Sequence, residues 1–444
     1  MRNNLTEGSV FKNVADFSVP YFVAYFLQTL YGMADLFIIG RFDGVAETTA
    51  VSIGSQVMHM LTVVIVGLAM GTTVGVAQAV GAGKKERAAF NIGNTSVLFS
   101  AAAVVLTVVL LASVKSVVAA MSTPSSAVAE TTVYLTICFA GIPFITAYNV
   151  IASVFRGLGD SKSPMLFIAV ACAANIVLDY VFIGVMDMGA TGAALGTVLS
   201  QAVSVAVSLY AICRRDAGVS LKKRDFKIRK PVMAKLLRIG IPVALQDGFI
   251  QVAFIVITII ANRRGLTDAA AVGIVEKVIG FLFLVPSSML SAVSALGAQN
   301  IGAKKFDRAI ETLWCAMGTA VLYGALVSVA TQYVAVPVVG AFTNDAAVAE
   351  AGGAYLRGYV WDCLFAGVSF CFSGYFCAAG RSELSFLHNI VSIAIVRVPG
   401  ACLTLNAFPE TLYPMGLTSP AGSLLSCAIC LIAFQKLTGK NQNE

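Results

Sequence analysis

The sequence has few charged residues for its length. Only 12% of its 444 residues are Asp, Glu, Lys or Arg, which is about half the share found in an average soluble protein. So little charge cannot coat a water-soluble body of this size, and the mean hydropathy of +0.84 agrees. The composition therefore excludes an ordinary soluble globular protein and indicates a chain that lies mostly in a lipid bilayer.

Histidine is almost absent, with two residues, and the ten cysteines follow no regular spacing. The one C-x-x-C pair, Cys427 and Cys430, has no second pair or histidine near it and gives no zinc or redox motif. The sequence also offers no metal-ligand cluster and no nucleophile–base pair. We therefore expect no enzymatic activity, no transition-metal centre and no cofactor.

Long apolar runs are what the sequence has in abundance. Each is long enough to cross a bilayer as a helix, which takes roughly 20 residues, and none alternates as a barrel strand would. The pattern predicts an all-α integral membrane protein with twelve transmembrane helices. The predicted spans are 15–40, 48–75, 91–118, 128–154, 163–186, 190–213, 236–261, 270–295, 310–340, 351–378, 384–405 and 414–437.

Basic residues concentrate in the loops that follow the even-numbered helices, whereas the other loops carry mainly Asp and Glu. Because Lys and Arg stay on the cytoplasmic side, both chain termini are expected in the cytoplasm and the protein in the plasma membrane. The longest basic stretch, residues 214–235, contains almost no aromatic residues. It therefore predicts a topology-setting linker beside anionic lipid and no nucleic-acid partner.

The sequence repeats itself in two halves. Residues 77–88 align without gaps on 298–309, and the same offset places 155–161 on 376–382. Six helices in each half would insert both halves the same way up, so the repeat predicts two pseudo-symmetric six-helix lobes. The predicted domains are an N-lobe at 1–213 with the ion-coupling site, a basic cytoplasmic linker at 214–235 and a C-lobe at 236–444.

Two carboxylates are predicted inside the membrane in the first half, Asp35 on the first helix and Asp179 on the fifth. A tight turn after the fifth helix would bring Thr197 to the depth of Asp179, with Asn175 one turn away on the same face. Tyr134 is expected at a similar depth on the fourth helix. Ionisable groups are costly in a membrane, so this set is a functional-site hypothesis.

The oxygens of Asp35, Asn175, Asp179 and Thr197 form a hard-ligand set, which suits Na⁺ or a proton shared between carboxylates. The competing interpretation is a neutral hydrogen-bond network that only holds helices together. In the second half, Ile257 stands where the repeat would place an equivalent of Asp35. Glu276 and Lys277 are expected to neutralise each other.

The asymmetry between the halves suggests ion coupling in the first half and substrate contacts shared by both. The polar residues that could line a substrate cavity are Gln28, Tyr134, Gln246, Asp247, Gln251 and Asp362.

These motifs resemble those of the multidrug and toxic compound extrusion (MATE) family over nearly the whole chain. The resemblance rests on the repeated loops at 77–88 and 298–309, on Phe155-Arg156-Gly157-Leu158-Gly159-Asp160, and on Asn175-x-x-x-Asp179 followed by 192–195. The NorM-like branch has an acidic residue on the seventh transmembrane helix, and this sequence has Gln251 in that region of its seventh predicted span. The sequence is therefore more similar to the DinF-like branch.

The resemblance implies two lobes that form a V and export driven by inward Na⁺ or H⁺ flow, with alternating access by lobe rocking. It implies that Asp35, Asn175, Asp179 and Thr197 bind the coupling ion, that Tyr134 lines the same lobe and that helix 1 bends at Pro20. The expected partners are the bilayer and small cationic or amphipathic substrates, and the expected state is a monomer. The alternative function is a lipid-linked saccharide flippase of the same wider superfamily.

Overall fold

The computed structural model describes residues 5–214 and 219–441. Every regular element in this part of the chain is a helix, and no strand occurs in it. Ten helices are long and apolar enough to cross a membrane, and counting each of two bent helix pairs as one span raises the number to twelve. The bends are 48° and 44°. The predicted all-α membrane fold is confirmed.

The chain divides into two compact units, of which unit 1 contains Val19–Gly240. Its core is built on Tyr134, Leu135 and Phe139, which are fully buried among helices. A short 3₁₀ turn, Lys223–Phe226, follows the last complete helix of the unit. The helices are α1 (Val10–Phe42, from Val19 onward), α2 (Val45–Gly81), α3 (Lys85–Ala120), α4 (Val128–Ala140), α5 (Ile142–Gly157), α6 (Lys162–Asp179), α7 (Gly189–Arg214) and the beginning of α8 (Lys230–Asn262).

Unit 2 contains Leu5–Ser18 and Ile241–Glu444. Its core includes Val272, Tyr355 and Tyr359. Besides the parts of α1 and α8 that belong to it, the helices are α9 (Leu266–Leu282), α10 (Leu284–Gly302), α11 (Phe306–Gly340), α12 (Ala346–Tyr359), α13 (Asp362–Ala378), α14 (Ser382–Ser392), α15 (Val398–Ala407), α16 (Tyr413–Gly416) and α17 (Thr418–Asn441).

Part of the predicted linker is anchored on α3. Arg215 and the three residues after it lie outside the described residues, but the stretch that follows packs on the helix. The side-chain oxygen of Asn94 accepts a hydrogen bond from the backbone N–H of Arg229 at 2.7 Å, and the Arg229 guanidinium lies 3.4 Å from the centre of the Phe90 ring. Helix α8 then begins at Lys230, inside the predicted linker, because Pro231 is well suited to a first helical turn.

The two halves repeat in their backbone conformation as well as in their sequence. Gly83 and Lys304, which the repeat aligns, both have positive φ, at 68° and 62°. Gly159 and Gly380, also aligned, have φ of 89° and 72°. Each of these four residues closes a turn after a helix, so the same turn geometry recurs at equivalent points of both units.

An interhelical hydrogen bond also recurs. The Thr73 hydroxyl donates to the Ser153 carbonyl at 3.1 Å, and at the same offset the Ser294 hydroxyl donates to the Gly374 carbonyl at 3.2 Å. Such bonds hold neighbouring helices together where water is absent. The repeat therefore extends to the contacts between helices.

Close helix packing in unit 2 depends on Gly324 of α11. A Cβ at this position would approach the Cys363 carbonyl of α13 to 2.7 Å, which is closer than real Cβ atoms come. Gly318, six residues earlier on the same helix, has nothing within 4 Å of a Cβ and is exposed. Only the first glycine is therefore required by packing.

We expect Gly324→Leu to destabilise the protein by about 1–3 kcal/mol, because the added side chain overpacks the contact between α11 and α13. Thermal unfolding of the purified protein in detergent measures the effect. The matched control, Gly318→Leu, should unfold at or above the wild-type temperature, since the new side chain meets open space and leucine favours helix. Equal effects of the two substitutions would contradict the packing analysis.

Candidate functional site

Three helices of unit 1 bring the predicted ion-site residues together. Asp35 on α1 and Asp179 on α6 are 2% and 0% exposed. The Thr197 hydroxyl, on α7, donates a hydrogen bond to a carboxylate oxygen of Asp35 at 3.3 Å. Asn175 and Asp179 also interact with the side chain of Asp35, although neither contact meets strict hydrogen-bond geometry. The four residues thus form one cluster.

The backbone around Asp179 makes room for its carboxylate. Helix α6 ends at Asp179 and continues as a π-helical turn, Tyr180–Val185, and such turns are frequent at functional sites. On the facing helix α7, a Cβ at Gly196 would collide with Oδ1 of Asp179. The absence of a side chain at Gly196 is therefore a requirement of the site, which sequence reasoning missed.

Neither carboxylate has a positively charged partner among the described residues. None of the ion pairs in the described chain involves Asp35 or Asp179. Oδ1 of Asp35, both carboxylate oxygens of Asp179 and both amide atoms of Asn175 are buried without a hydrogen bond to a described residue. Because a buried, unpaired carboxylate charge is very unfavourable, the carboxylates of Asp35 and Asp179 need a proton or a bound cation.

Tyr31 belongs to the cluster and was not predicted. It lies one helical turn before Asp35 and interacts with both Thr197 and Asp35. The spacing of four residues between Tyr31 and Asp35 was the signal in the sequence that could have found it. Its hydroxyl adds another oxygen to the same side of α1.

Tyr134 forms a wall beside the cluster. Its hydroxyl and that of Ser55 on α2 are hydrogen-bonded at 3.1 Å, and its ring packs where a side chain at Gly54 would otherwise stand. Electrostatic interaction with Asp35 places it in the same neighbourhood. Tyr134 is only 1% exposed.

The chemistry of the donor set suits a hard monovalent cation or a proton. Carboxylate, amide and hydroxyl oxygens are the available ligands, and neither His nor Cys contributes. Among the residues that the structure describes, no group of three or more His, Cys, Asp or Glu side chains could hold a metal ion. The donor set has the chemistry to take up one small cation or a proton.

The candidate cavity residues of unit 2 occupy different environments. Gln246 is buried and accepts a hydrogen bond from the Ser385 hydroxyl at 2.6 Å. Asp362 is fully buried, with a carboxylate oxygen 3.5 Å from Arg397. Asp247 and Gln251 are half-buried and make no hydrogen bond or ion pair with another described residue.

The expected pairing of Glu276 with Lys277 is wrong. In the described chain no ion pair joins them, and both carboxylate oxygens of Glu276 lie 3.4 Å from the Thr258 hydroxyl. Adjacent residues of a helix point in different directions, which explains why the two side chains do not meet. Of the remaining candidates, Gln28 lines a cleft in unit 1, and Pro20 lies inside the continuous helix α1.

An acidic group marks the end of α1. Asp43 follows the helix, and Glu47 and Asp187 lie close to it. Burial raises the pKa of the Asp43 carboxyl above its usual value, and the neighbouring charges of Asp187 and Glu47 raise it further. The folded protein therefore disfavours the charged form of Asp43.

Comparison with known proteins finds the same architecture and sequence pattern elsewhere. The family model MatE matches residues 20–181 and 242–403. The chain is 26% identical to "Probable multidrug resistance protein YoeA" of Bacillus subtilis, over 98% of this chain and 95% of that protein. It is 24% identical to "Multidrug export protein MepA" of Staphylococcus aureus, over 96% and 92%.

Among solved structures, a crystal structure of MATE in complex with MaL6 has a similar fold. The TM-score is 0.92 at 22% sequence identity, and the match covers 99% of each chain.

Gly196→Ala should disturb the cluster, because the new methyl group occupies the position of an Asp179 oxygen. We expect a lower unfolding temperature, from overpacking of about 1–3 kcal/mol, and a smaller stabilisation by sodium chloride or by acidic pH than in the wild type. Thermal unfolding is measured in sodium and in N-methylglucamine buffers of equal ionic strength, each at neutral and at acidic pH. These measurements give the unfolding temperature and its response to sodium and to acid. Gly32→Ala, at a position of α1 with open space around it, is the control and should retain the wild-type response.

Asp43→Asn should raise the unfolding temperature at neutral and alkaline pH. The raised pKa means that folding favours the protonated carboxyl, so this contribution to stability is present at low pH and is lost as pH rises through the folded-state pKa. At acidic pH the variant and the wild type should coincide. Asp307→Asn, at an exposed position, serves as the control, and a pH-independent effect of Asp43→Asn would contradict this electrostatic account.

Proposed function

Because the chain belongs to the MatE family, we propose that it is a secondary active exporter of cationic or amphipathic small molecules, driven by inward flow of Na⁺ or H⁺. One observation carries the proposal. Asp35 and Asp179 are buried next to each other in unit 1, and no described Lys or Arg pairs with either. Two such carboxylates need a proton or a bound cation, and exchange of that charge with the two sides of the membrane would provide the coupling.

Neutralisation of the pair is the chemical step that coupling needs. A Na⁺ ion would take oxygens from Asp35, Asp179, Asn175 and Thr197, whereas a proton would bind one carboxylate and be shared with the other. In both cases the cluster changes from negative to less negative when it is loaded. No cofactor takes part.

The same negative charge attracts a cationic substrate. Substrate and coupling ion therefore compete for the cluster, and loading of the ion favours release of the substrate. A membrane potential that is negative inside favours the inward movement of each positive charge by about 2.3 kcal/mol per 100 mV. Antiport follows when the cluster is exposed alternately to the two sides of the membrane.

Two relatives are named as a probable multidrug resistance protein and a multidrug export protein, which supports small drug-like molecules as the substrates. The basic loops support a plasma-membrane protein with both termini in the cytoplasm. We further propose that it acts as a monomer and belongs to the DinF-like branch. The supporting feature is unit 2, where Gln251 stands in the region of the acid that NorM-like sequences have.

Asp35→Asn should reduce gradient-driven efflux to the rate of protein-free liposomes, because the variant loses the carboxylate that the coupling ion neutralises. The measurement is export of a fluorescent cationic dye from proteoliposomes, first under a sodium gradient alone and then under a pH gradient alone. The gradient that drives the wild type identifies the coupling ion.

Asp307→Asn makes the same chemical change at an exposed position and should export at the wild-type rate. Both variants should be recovered in the membrane fraction in similar amounts. Normal efflux by Asp35→Asn would remove this carboxylate from the mechanism.

A further inference from the structure

A second polar site lies in unit 1, and its charge is opposite to that of the acidic cluster. It is a cleft beside the middle of α1, against α2, α5 and the beginning of α6, and among its described lining residues only Arg156 is charged. The lining residues are Tyr21, Ala24, Tyr25, Gln28, Val66, Tyr148, Asn149, Ala152, Arg156, Ser161 and Pro164. We name it the Arg156 cleft.

No ion pair of Arg156 occurs in the part of the chain that the structure describes. Asp160, the acid nearest in sequence, is occupied otherwise: its carboxylate accepts hydrogen bonds from the backbone N–H groups of Lys162 and Ser163 and from the Ser163 hydroxyl. Arg156 is half-buried, so its charge is only partly compensated by solvent.

The guanidinium is held in place but keeps free donors. It donates to the Tyr21 hydroxyl at 3.1 Å and to the Ser153 hydroxyl at 2.8 Å, and it lies 5.2 Å from the centre of the Tyr21 ring. The Tyr21 hydroxyl donates in turn to that of Tyr25 at 3.2 Å. A guanidinium has five N–H donors, so two contacts to neutral hydroxyls leave several donors for a ligand.

The lining favours an oxyanion, and the cleft volume of about 30 Å³ has room for that group while an apolar body would lie against its rim. A planar guanidinium binds carboxylate or phosphate oxygens in a two-pronged geometry that a lysine does not offer. Tyrosine rings and the aliphatic side chains of Val66, Ala152 and Pro164 provide an apolar wall. Gln28 adds an amide and makes no hydrogen bond to another described residue.

The cleft is distinct from the acidic cluster, and all of its lining residues belong to unit 1. Gln28 precedes Asp35 on α1 by about two helical turns, or about 10 Å along the axis. The repeat places Cys377 at the position of Arg156, so the second half has no equivalent cation.

We propose that the Arg156 cleft binds the oxyanion of an amphiphile, a carboxylate or phosphate carried on an apolar body. Two sources share this chemistry: a transported molecule with an acidic group, and the headgroup of an anionic lipid. The test of binding at this cleft does not depend on the coupling mechanism proposed above, because it uses no ion gradient.

The test is equilibrium binding to the purified full chain in phosphatidylcholine nanodiscs, followed by isothermal calorimetry. One probe pair is a naphthyl carboxylate and its neutral carboxamide. The other pair is short-chain phosphatidylglycerol and short-chain phosphatidylcholine. We expect at least one anionic probe to bind about tenfold more tightly than its neutral partner, as a charge-assisted hydrogen bond would give.

Variants assign this preference to the cleft. Arg156→Gln should abolish it, and Arg156→Lys should retain part of it, because the charge remains while the two-pronged geometry is lost. Lys162→Gln removes the same charge from an exposed position at the first residue of α6 and should keep the full preference. Thermal unfolding checks that each variant is folded.

The pattern of preference identifies the source. Preference for the carboxylate alone indicates a soluble amphiphile, and preference for phosphatidylglycerol alone, or for both probes, includes the lipid headgroup. Equal affinity of the folded wild type for both members of each pair would overturn the proposal. A preference that survives in Arg156→Gln would also overturn it. So would a preference that is lost to the same extent in Arg156→Lys and in Arg156→Gln.

Discussion

Two carboxylates buried side by side, with no basic side chain of the described chain paired to either, are the constraint around which unit 1 is organised. Asp35 and Asp179 come from different helices and are both fully buried. The neighbouring structure serves this arrangement: the π-helical turn follows Asp179 directly, and Gly196 leaves space for its carboxylate.

The membrane-spanning helices and much of the acidic cluster could be predicted from the sequence. Apolar runs of the right length predicted the spans, because a bilayer imposes one length on every crossing helix. The cluster of Asp35, Asp179 and Thr197 was also predictable, since a tight turn fixes which residues of two neighbouring helices share a depth. Both predictions depend on local geometry, which the order of residues determines.

Contacts set by tertiary packing could not be read in this way. The clearance at Gly196, the docking of the linker on Asn94 and the pairing of Asp362 with Arg397 depend on which faces of distant helices meet. Hydrophobic patterns give little information about such faces, because in a membrane both the lipid side and the protein side of a helix are apolar. The lack of a contact between Glu276 and Lys277 shows the opposite error, in which neighbours in sequence were taken as neighbours in space.

The repeated turns explain how a duplicated chain can drift without losing its shape. Lys304 adopts the left-handed conformation that its counterpart Gly83 adopts without strain, at a cost of roughly 1–2 kcal/mol for a residue with a side chain. The backbone hydrogen bonds that close the turn recur in both halves and act against that cost. The bend is thus encoded by the helices on either side more than by the residue at its centre. Proteins sharing only 22% of their residues with this one can consequently share its fold.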